Sequence, residues 1–309
     1  MTRAVVFAYH DVGVRCLKVL LAHEVEVALV VTHDDSPGET IWFDSVARTA
    51  ADYGLPVIAP ADPNVPGIVA RVAECAADFL FSFYYRAMLK APLLHSVGRG
   101  ALNMHGSLLP RYRGRAPVNW AILRGERQTG ATLHHMTEKP DDGDIVGQTA
   151  VPILPDDDAR EVFNKVTVAT ELTLDSALRA LFAGRAPRIA QDRAMASYFG
   201  GRRPEDGVID WSRDATSIHN LVRAVAPPYP GASTSVGGRP ARILRSRVAP
   251  DLAVQPGDAA SLRVEGDRLI ARCGGGGALA VQDIEIDGMR LDATALAQRF
   301  GAGPIALGR

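Results

Sequence analysis

The feature that most constrains this chain is a repeated alternation over roughly its first 150 residues. Short runs of wholly apolar residues take turns with segments of helical length. Ala4–Ala8, Val25–Val31, Pro56–Ala59, Phe79–Phe83 and Ala101–His105 read as strands. Between them, Val12–Leu21, Phe43–Tyr53, Asn64–Ala76 and Ala87–His95 read as helices, and Gly54 suits the left-handed position after the second. Strands that are apolar throughout must be covered on both faces. When each is followed by a helix, the economical solution is a parallel sheet with helices on both sides. The expected fold is therefore α/β, a doubly wound, mostly parallel, Rossmann-like sheet.

The pattern changes towards the C-terminus. Asp157–Ala183 carries apolar residues at helical spacing and can end at Gly184. Beyond the polar stretch Gly200–Gly207 and a short helix, Thr216–Val225, come short alternating strands. They are separated by Gly237-Gly238, Pro256-Gly257, Gly266-Asp267 and the run Gly274–Gly277. Regular short strands with such turns predict a small antiparallel, OB-like β-barrel. At 309 residues the chain exceeds what one core usually organises. We expect a catalytic domain over 1–200 and a barrel domain over 201–309.

Several functions are disfavoured. The loop after the first strand, Ala8-Tyr9-His10-Asp11-Val12-Gly13, has one glycine where a dinucleotide fold needs GxGxxG, and no GxxxxGK[ST] loop occurs. With 34 Lys+Arg against 35 Asp+Glu, the chain lacks the basic excess of a nucleic-acid binder. Cys16, Cys75 and Cys273 are isolated and form no CxxC pair, which fits small buried residues in a reducing compartment. The N-terminus passes straight into patterned sequence and does not read as a signal peptide, and no run approaches the roughly 18 apolar residues of a membrane span. A cytoplasmic protein is expected.

The densest chemistry lies between Asn103 and Asp144. Asn103 and His105 sit at the C-terminal end of the fifth strand, where open α/β sheets place ligands, and alternation sends both to one side. A turn-rich segment follows through Pro117, then a helix, Val118–Arg124, a strand around Thr132–Met136, and the loop Pro140–Asp144. Asn103 can donate to a developing oxyanion, His105 can shuttle protons near neutral pH, and Asp141 can orient the imidazole or accept a proton. No nucleophile accompanies them, which favours direct transfer onto a substrate amine over a covalent intermediate. Structural alternatives remain: a hydrogen-bonding histidine, an asparagine capping a turn, a polar Asp-Asp-Gly turn, or a metal triad of His105, His134 and Asp141.

Asn103-Met104-His105-Gly106-Ser107-Leu108-Leu109-Pro110 resembles the N-x-H-x-S-L-L-P signature of folate-dependent formyltransferases, and Asp141-x-Gly143-Asp144-Ile145 resembles that family's second motif. Further segments resemble the formyltransferase half of the bifunctional UDP-4-amino-4-deoxy-L-arabinose enzymes of polymyxin resistance. These are Phe7–Asp11, Thr32–Asp34, Pro37–Glu39, Phe81–Arg86, Tyr112–Trp120, Phe199–Arg203, His219–Ala226 and Tyr229–Ala232. The resemblance leaves two readings open, a stand-alone relative or a fragment of a bifunctional protein, with a separate or fused UDP-glucuronic acid decarboxylase as the partner that the second implies and the first allows.

The resemblance implies N10-formyltetrahydrofolate as co-substrate, with no metal, and Asn103, His105 and Asp141 as catalytic residues. It implies folate contacts from Phe83, Tyr84, Arg86, Met88, Leu89, Asp142 and Gly143. The acceptor would be a UDP-amino sugar, met by Arg115, whose planar fork suits a phosphate or carboxylate, and by Tyr9, His10 and Arg203. Methionyl-tRNA formyltransferase, which shares the trio and the two-domain plan, is the rival, with a non-catalytic formyl-folate-binding module and a formyl-folate hydrolase behind it.

Overall fold

The computed structural model describes residues 1–301 and 303–308. In chain order its elements begin β1 (Arg3–Ala8), α1 (His10–Ala22), β2 (Glu26–Val31), α2 (Val46–Asp52), β3 (Val57–Ile58), α3 (Pro66–Glu74), β4 (Phe79–Phe83) and α4 (Ala91–Leu94). They continue with β5 (Ala101–His105), β6 (Arg113–Gly114), α5 (Pro117–Leu123), β7 (Gln128–His135), β8 (Ile145–Pro152), α6 (Ala159–Phe182) and β9 (Tyr198–Phe199). The rest are α7 (Ala215–Ala224), β10 (Ala232–Val236), β11 (Arg239–Val248), β12 (Ser261–Glu265), β13 (Arg268–Arg272), β14 (Ala278–Ile286), β15 (Met289–Arg290), α8 (Ala293–Phe300) and β16 (Ile305–Gly308). The chain forms two compact units. The first comprises Met1–Pro117, Gln128–Pro152 and Asn164–Gly200; the second comprises Val118–Arg127, Ile153–Phe163 and the chain from Gly201 onward.

The first unit is built on a seven-stranded sheet in the order β3-β2-β1-β4-β5-β7-β8. The pairings from β3 to β5 are parallel; those of β5 with β7 and β7 with β8 are antiparallel. The expected mostly parallel, doubly wound fold is what the structure has, with an antiparallel extension that includes β8. Phe7, Phe79, Phe81 and Phe83 are wholly buried in and beside this sheet, as apolar strands covered on both faces must be. Strand order reverses beside β1, which pairs with both β2 and β4, and such a switch leaves a crevice at the carboxyl ends of the strands.

Two helices are shorter than their periodicity predicts. The segment read as Phe43–Tyr53 becomes helical only at Val46, where Ser45 caps the end by accepting from the Arg48 N–H at 3.2 Å. Trp42 and Phe43 are instead drawn into an aromatic cluster with His10. Ala87–His95 is helical only over Ala91–Leu94. Asn64 holds the preceding backbone off the helical path: its Nδ2 donates to the Met88 carbonyl at 3.0 Å and its Oδ1 accepts from the Lys90 N–H at 2.8 Å.

The second unit contains a closed six-stranded antiparallel barrel, β11-β10-β16-β12-β13-β14, shut by pairing of β14 back onto β11. Its core joins Ile209, Trp211, Ile218 and Val222 to inward-facing barrel residues such as Ile243, Leu262, Leu279 and Ile284. The buried Trp211 indole finds its partner in Thr234 Oγ1 at 2.8 Å, as a buried ring N–H requires. Among the described residues no helix is long and apolar enough to cross a membrane.

Candidate active site

At the end of β5, Met104 points into the core at 1% exposure while Asn103 and His105 face a cavity of about 440 Å³. Across the antiparallel pair, Asn103 stands opposite His134 and His105 opposite Thr132. Thr132 anchors the turn that follows β5. Its hydroxyl donates to the Ser107 carbonyl at 2.6 Å and accepts from the Leu109 N–H at 3.1 Å. The turn then brings the Tyr112 carbonyl back to 2.8 Å from His105 Nε2.

These contacts fix the protons. A carbonyl only accepts, so His105 carries its hydrogen on Nε2, and Nδ1 is left facing Asp141 Oδ1 at 3.6 Å. His134 Nδ1 lies 2.8 Å from the His135 carbonyl and must donate to it. His134 Nε2 then accepts from Asn103 Nδ2 at 3.1 Å. Asn103 is thereby oriented with its amino group inward, one N–H on His134 and the other available to the cavity. His134 is thus the group that sets the asparagine, and among the described residues no cluster of three or more His, Cys, Asp or Glu side chains is arranged to hold a metal ion.

Asp141 adopts the left-handed conformation, with φ of 54°. Its Oδ2 accepts from the Gly114 N–H at 2.8 Å, and its Oδ1 lies 3.6 Å from both His105 Nδ1 and His134 Nε2. Burial pushes its pKa up, but His105, His134 and the Gly114 N–H together outweigh that and hold it well below the usual carboxylate range. The turn is tight: a Cβ on Gly143 would lie 1.9 Å from the His135 carbonyl oxygen. Tyr84 and Ala116, also on the cavity wall, share the left-handed conformation, with φ of 56° and 51°. Clustered non-glycine residues at positive φ accompany sites whose geometry is held by their surroundings.

The cavity brings together Asn103, His105 and Asp141 with Tyr84, Arg86, Met88, Leu89 and Arg115. It leaves out Phe83, which is wholly buried, and Asp142 and Gly143. Ser82, not Phe83, lines it, because neighbouring strand residues face opposite sides. Asp142 is taken up by Arg113 NH1 at 2.5 Å. Sequence reasoning passed over Met136, Lys139 and Tyr198, which also line the wall.

Tyr9 and His10 lie in a separate aromatic cluster at the start of α1. His10 stacks on Phe43 with ring centroids 3.8 Å apart, and the Tyr9 hydroxyl donates to Asp35 at 2.7 Å. Burial, with help from the Arg86 cation, pushes His10 down to about 3, so it is neutral. Arg86 is clamped to Glu39 by two bonds of 2.6 and 2.5 Å and lies over the Tyr9 ring. Arg203 belongs to the second unit, at the start of a 3-10 turn.

Two family models match the chain: formyl transferase over residues 15–178, and the formyl transferase C-terminal domain over residues 202–301. The chain belongs to the formyl transferase family. Among solved structures, this formyltransferase is similar to the N-formyltransferase from Helicobacter canadensis in complex with folinic acid and dTDP-3-aminofucose. The two are 19% identical with a TM-score of 0.69, over 91% of this chain and 99% of that one. WlaRD, a sugar 3N-formyltransferase solved with dTDP and 5-N-formyl-THF, matches at 19% identity and TM-score 0.69, over 91% and 97%. A sugar N-formyltransferase from Shewanella sp FDAARGOS_354 matches at 18% and 0.60, over 81% and 94%.

Proposed function

We propose that this formyltransferase moves the formyl group of N10-formyltetrahydrofolate onto the amine of a sugar nucleotide. The acceptor we propose is UDP-4-amino-4-deoxy-L-arabinose, in the cytoplasmic steps of lipid A modification. The observation that carries the reading is the convergence of Asn103, His105 and Asp141 on one cavity in a chain of this family. Formyl-folate suits that cavity. Met88, Leu89 and Met136 offer apolar surface to a heteroaromatic ring, and the Tyr85 hydroxyl is buried without a hydrogen-bond partner. Phe83, Asp142 and Gly143 would act on the folate through the walls they support, and Tyr84, Arg86, Met88 and Leu89 by contact.

In this mechanism the neutral amine attacks the formyl carbon and its electron pair forms the new C–N bond. The second Asn103 N–H meets the oxygen as it becomes negative, where a fixed donor is worth most. The nitrogen of His105 left for proton transfer is Nδ1. As the tetrahedral carbon collapses, that nitrogen relays the proton lost by the amine to the departing folate nitrogen. Ionised Asp141 steadies the imidazolium in between. Arg115 would meet the phosphates or hydroxyls of the acceptor, with Tyr9, His10 and Arg203 completing the nucleotide contacts. Residues 1–200 would carry the chemistry and 201–309 would assist acceptor binding. A decarboxylase, fused or separate, would be the functional partner.

A second acceptor class is favoured by the similar structures, two of which hold dTDP or a dTDP-3-amino sugar. The test mixes the protein with N10-formyltetrahydrofolate and, in turn, UDP-4-amino-4-deoxy-L-arabinose, a dTDP-3-amino sugar and charged initiator tRNA, and follows tetrahydrofolate. Turnover with the UDP sugar alone is the expected result. Turnover with the dTDP sugar alone moves the acceptor but keeps the chemistry; turnover with tRNA alone, or none at all, overturns the reading.

A further inference from the structure

Gln191 lies in the irregular segment after α6, where Ile189 pairs its backbone with Ile145 through bonds of 2.8 and 2.9 Å. Its side-chain amide uses all its hydrogen-bonding capacity. Nε2 donates to the Asp141 carbonyl at 2.9 Å and to the Gly143 carbonyl at 2.7 Å. Oε1 accepts from Arg113 Nε at 3.2 Å and NH2 at 2.7 Å. The third arm of Arg113, NH1, binds Asp142. One amide and one guanidinium therefore hold three consecutive residues, Asp141 to Gly143, from behind.

We infer that Gln191 is a positioning residue for the transfer reaction: it acts through Asp141, fixing the backbone that aims this carboxylate at His105. A non-glycine residue at φ of 54° sits in a sparsely populated region and relaxes to a commoner conformation unless its neighbours prevent it. The Asp141 carboxylate accepts from the Gly114 N–H, and Gly114 follows Arg113 in β6. The two donors of Gln191 fix the carbonyls on either side of residue 142, so the loop cannot rotate away as a unit. Only a side chain with two N–H donors on one face and an acceptor on the other does this. A carboxylate of the same shape would repel both carbonyls while still pairing with Arg113.

The inference rests on the proposed formyl transfer for its kinetic readout, and on loop order for a readout that does not. Gln191→Glu keeps the size and the Arg113 contact but removes the donors; Gln191→Ala removes both. In each variant kcat is expected to fall about 10- to 100-fold, the scale set by small misplacements of a reacting group, with KM for the amino sugar held within about threefold. Hydrogen exchange over residues 137–145 should quicken, while exchange in the barrel stays as in the wild type. Folinic acid should bind more weakly to both. Wild-type kcat and wild-type exchange in Gln191→Glu would overturn the inference, as would a variant whose loss is confined to KM for the sugar. If the wild type formylates no amino sugar, the functional reading fails, yet quickened loop exchange and weakened folinic acid binding still uphold the role of Gln191 in ordering the loop.

Discussion

Two histidine-containing regions of the first unit have been given opposite electrostatic surroundings. Around Asp141, two imidazoles lie 3.6 Å from one buried carboxylate, and the carboxylate stays ionised because they and a backbone N–H compensate its burial. Around His10, the imidazole is packed on Phe43 and against Trp42, and burial keeps it neutral. One region keeps a buried carboxylate ionised; the other keeps its imidazole uncharged although the Asp11 carboxylate lies 3.7 Å from Nδ1. The difference shows that histidine content alone says little. What packs around each ring decides what it does.

The largest effects should come from the charged region. His105→Ala and Asn103→Ala are each expected to lower kcat by about 10²–10³, the usual cost of losing one donor or proton carrier, while melting near the wild-type temperature. Near-wild-type turnover in either variant would remove the distinction between the regions.

A smaller effect concerns acid stability. The folded pKa of His10 lies below its unfolded value, so as pH drops from about 6.5 towards 3 the unfolded chain takes up a proton that the native protein refuses. Wild-type stability therefore declines with falling pH across that window, by up to about 1.4 kcal/mol per unit from this group. His10→Gln should show a flatter dependence in urea titrations at pH 4 to 7, and superimposable curves would contradict the assignment. The sign is the same for Asp141, whose folded value is also depressed: its contribution is present above the ordinary carboxylate range and is lost progressively as pH falls below it towards the folded value.

The smallest expected change is from Phe43→Ala. Losing the ring stack should cost about 1 kcal/mol, and the His10 resonance should titrate closer to its ordinary value by NMR. An unmoved His10 titration would show that the stack is not what excludes charge there.

Much of the fold could be read in the residues, because apolar strands and glycine-marked turns are local signals. Asn103, His105 and Asp141 were legible as a set through motif spacing, which encodes the strand end and the loop together. Helix starts at Val46 and Ala91 were not, because Trp42, Phe43 and Asn64 draw the chain into tertiary contacts that periodicity does not register. Phe83 against Ser82 was decidable by strand parity, given that Asn103 pairs with Ser82. Gln191 carried no signal at all: a lone glutamine in a polar stretch acquires its role only when β6 and the Asp141 loop arrive beside it.

That late arrival has a consequence for synthesis. The residues that build and brace the site are spread from Ser82 to Tyr198 and include both partners of the antiparallel β5–β7 pair. A nascent chain can assemble β1 to β5 early, but the loop that bears Asp141 lacks the Gln191 amide that holds its carbonyls until the segment after α6 has emerged and folded back. Activity should therefore appear as a single late event on the ribosome, well after most of the sheet is in place.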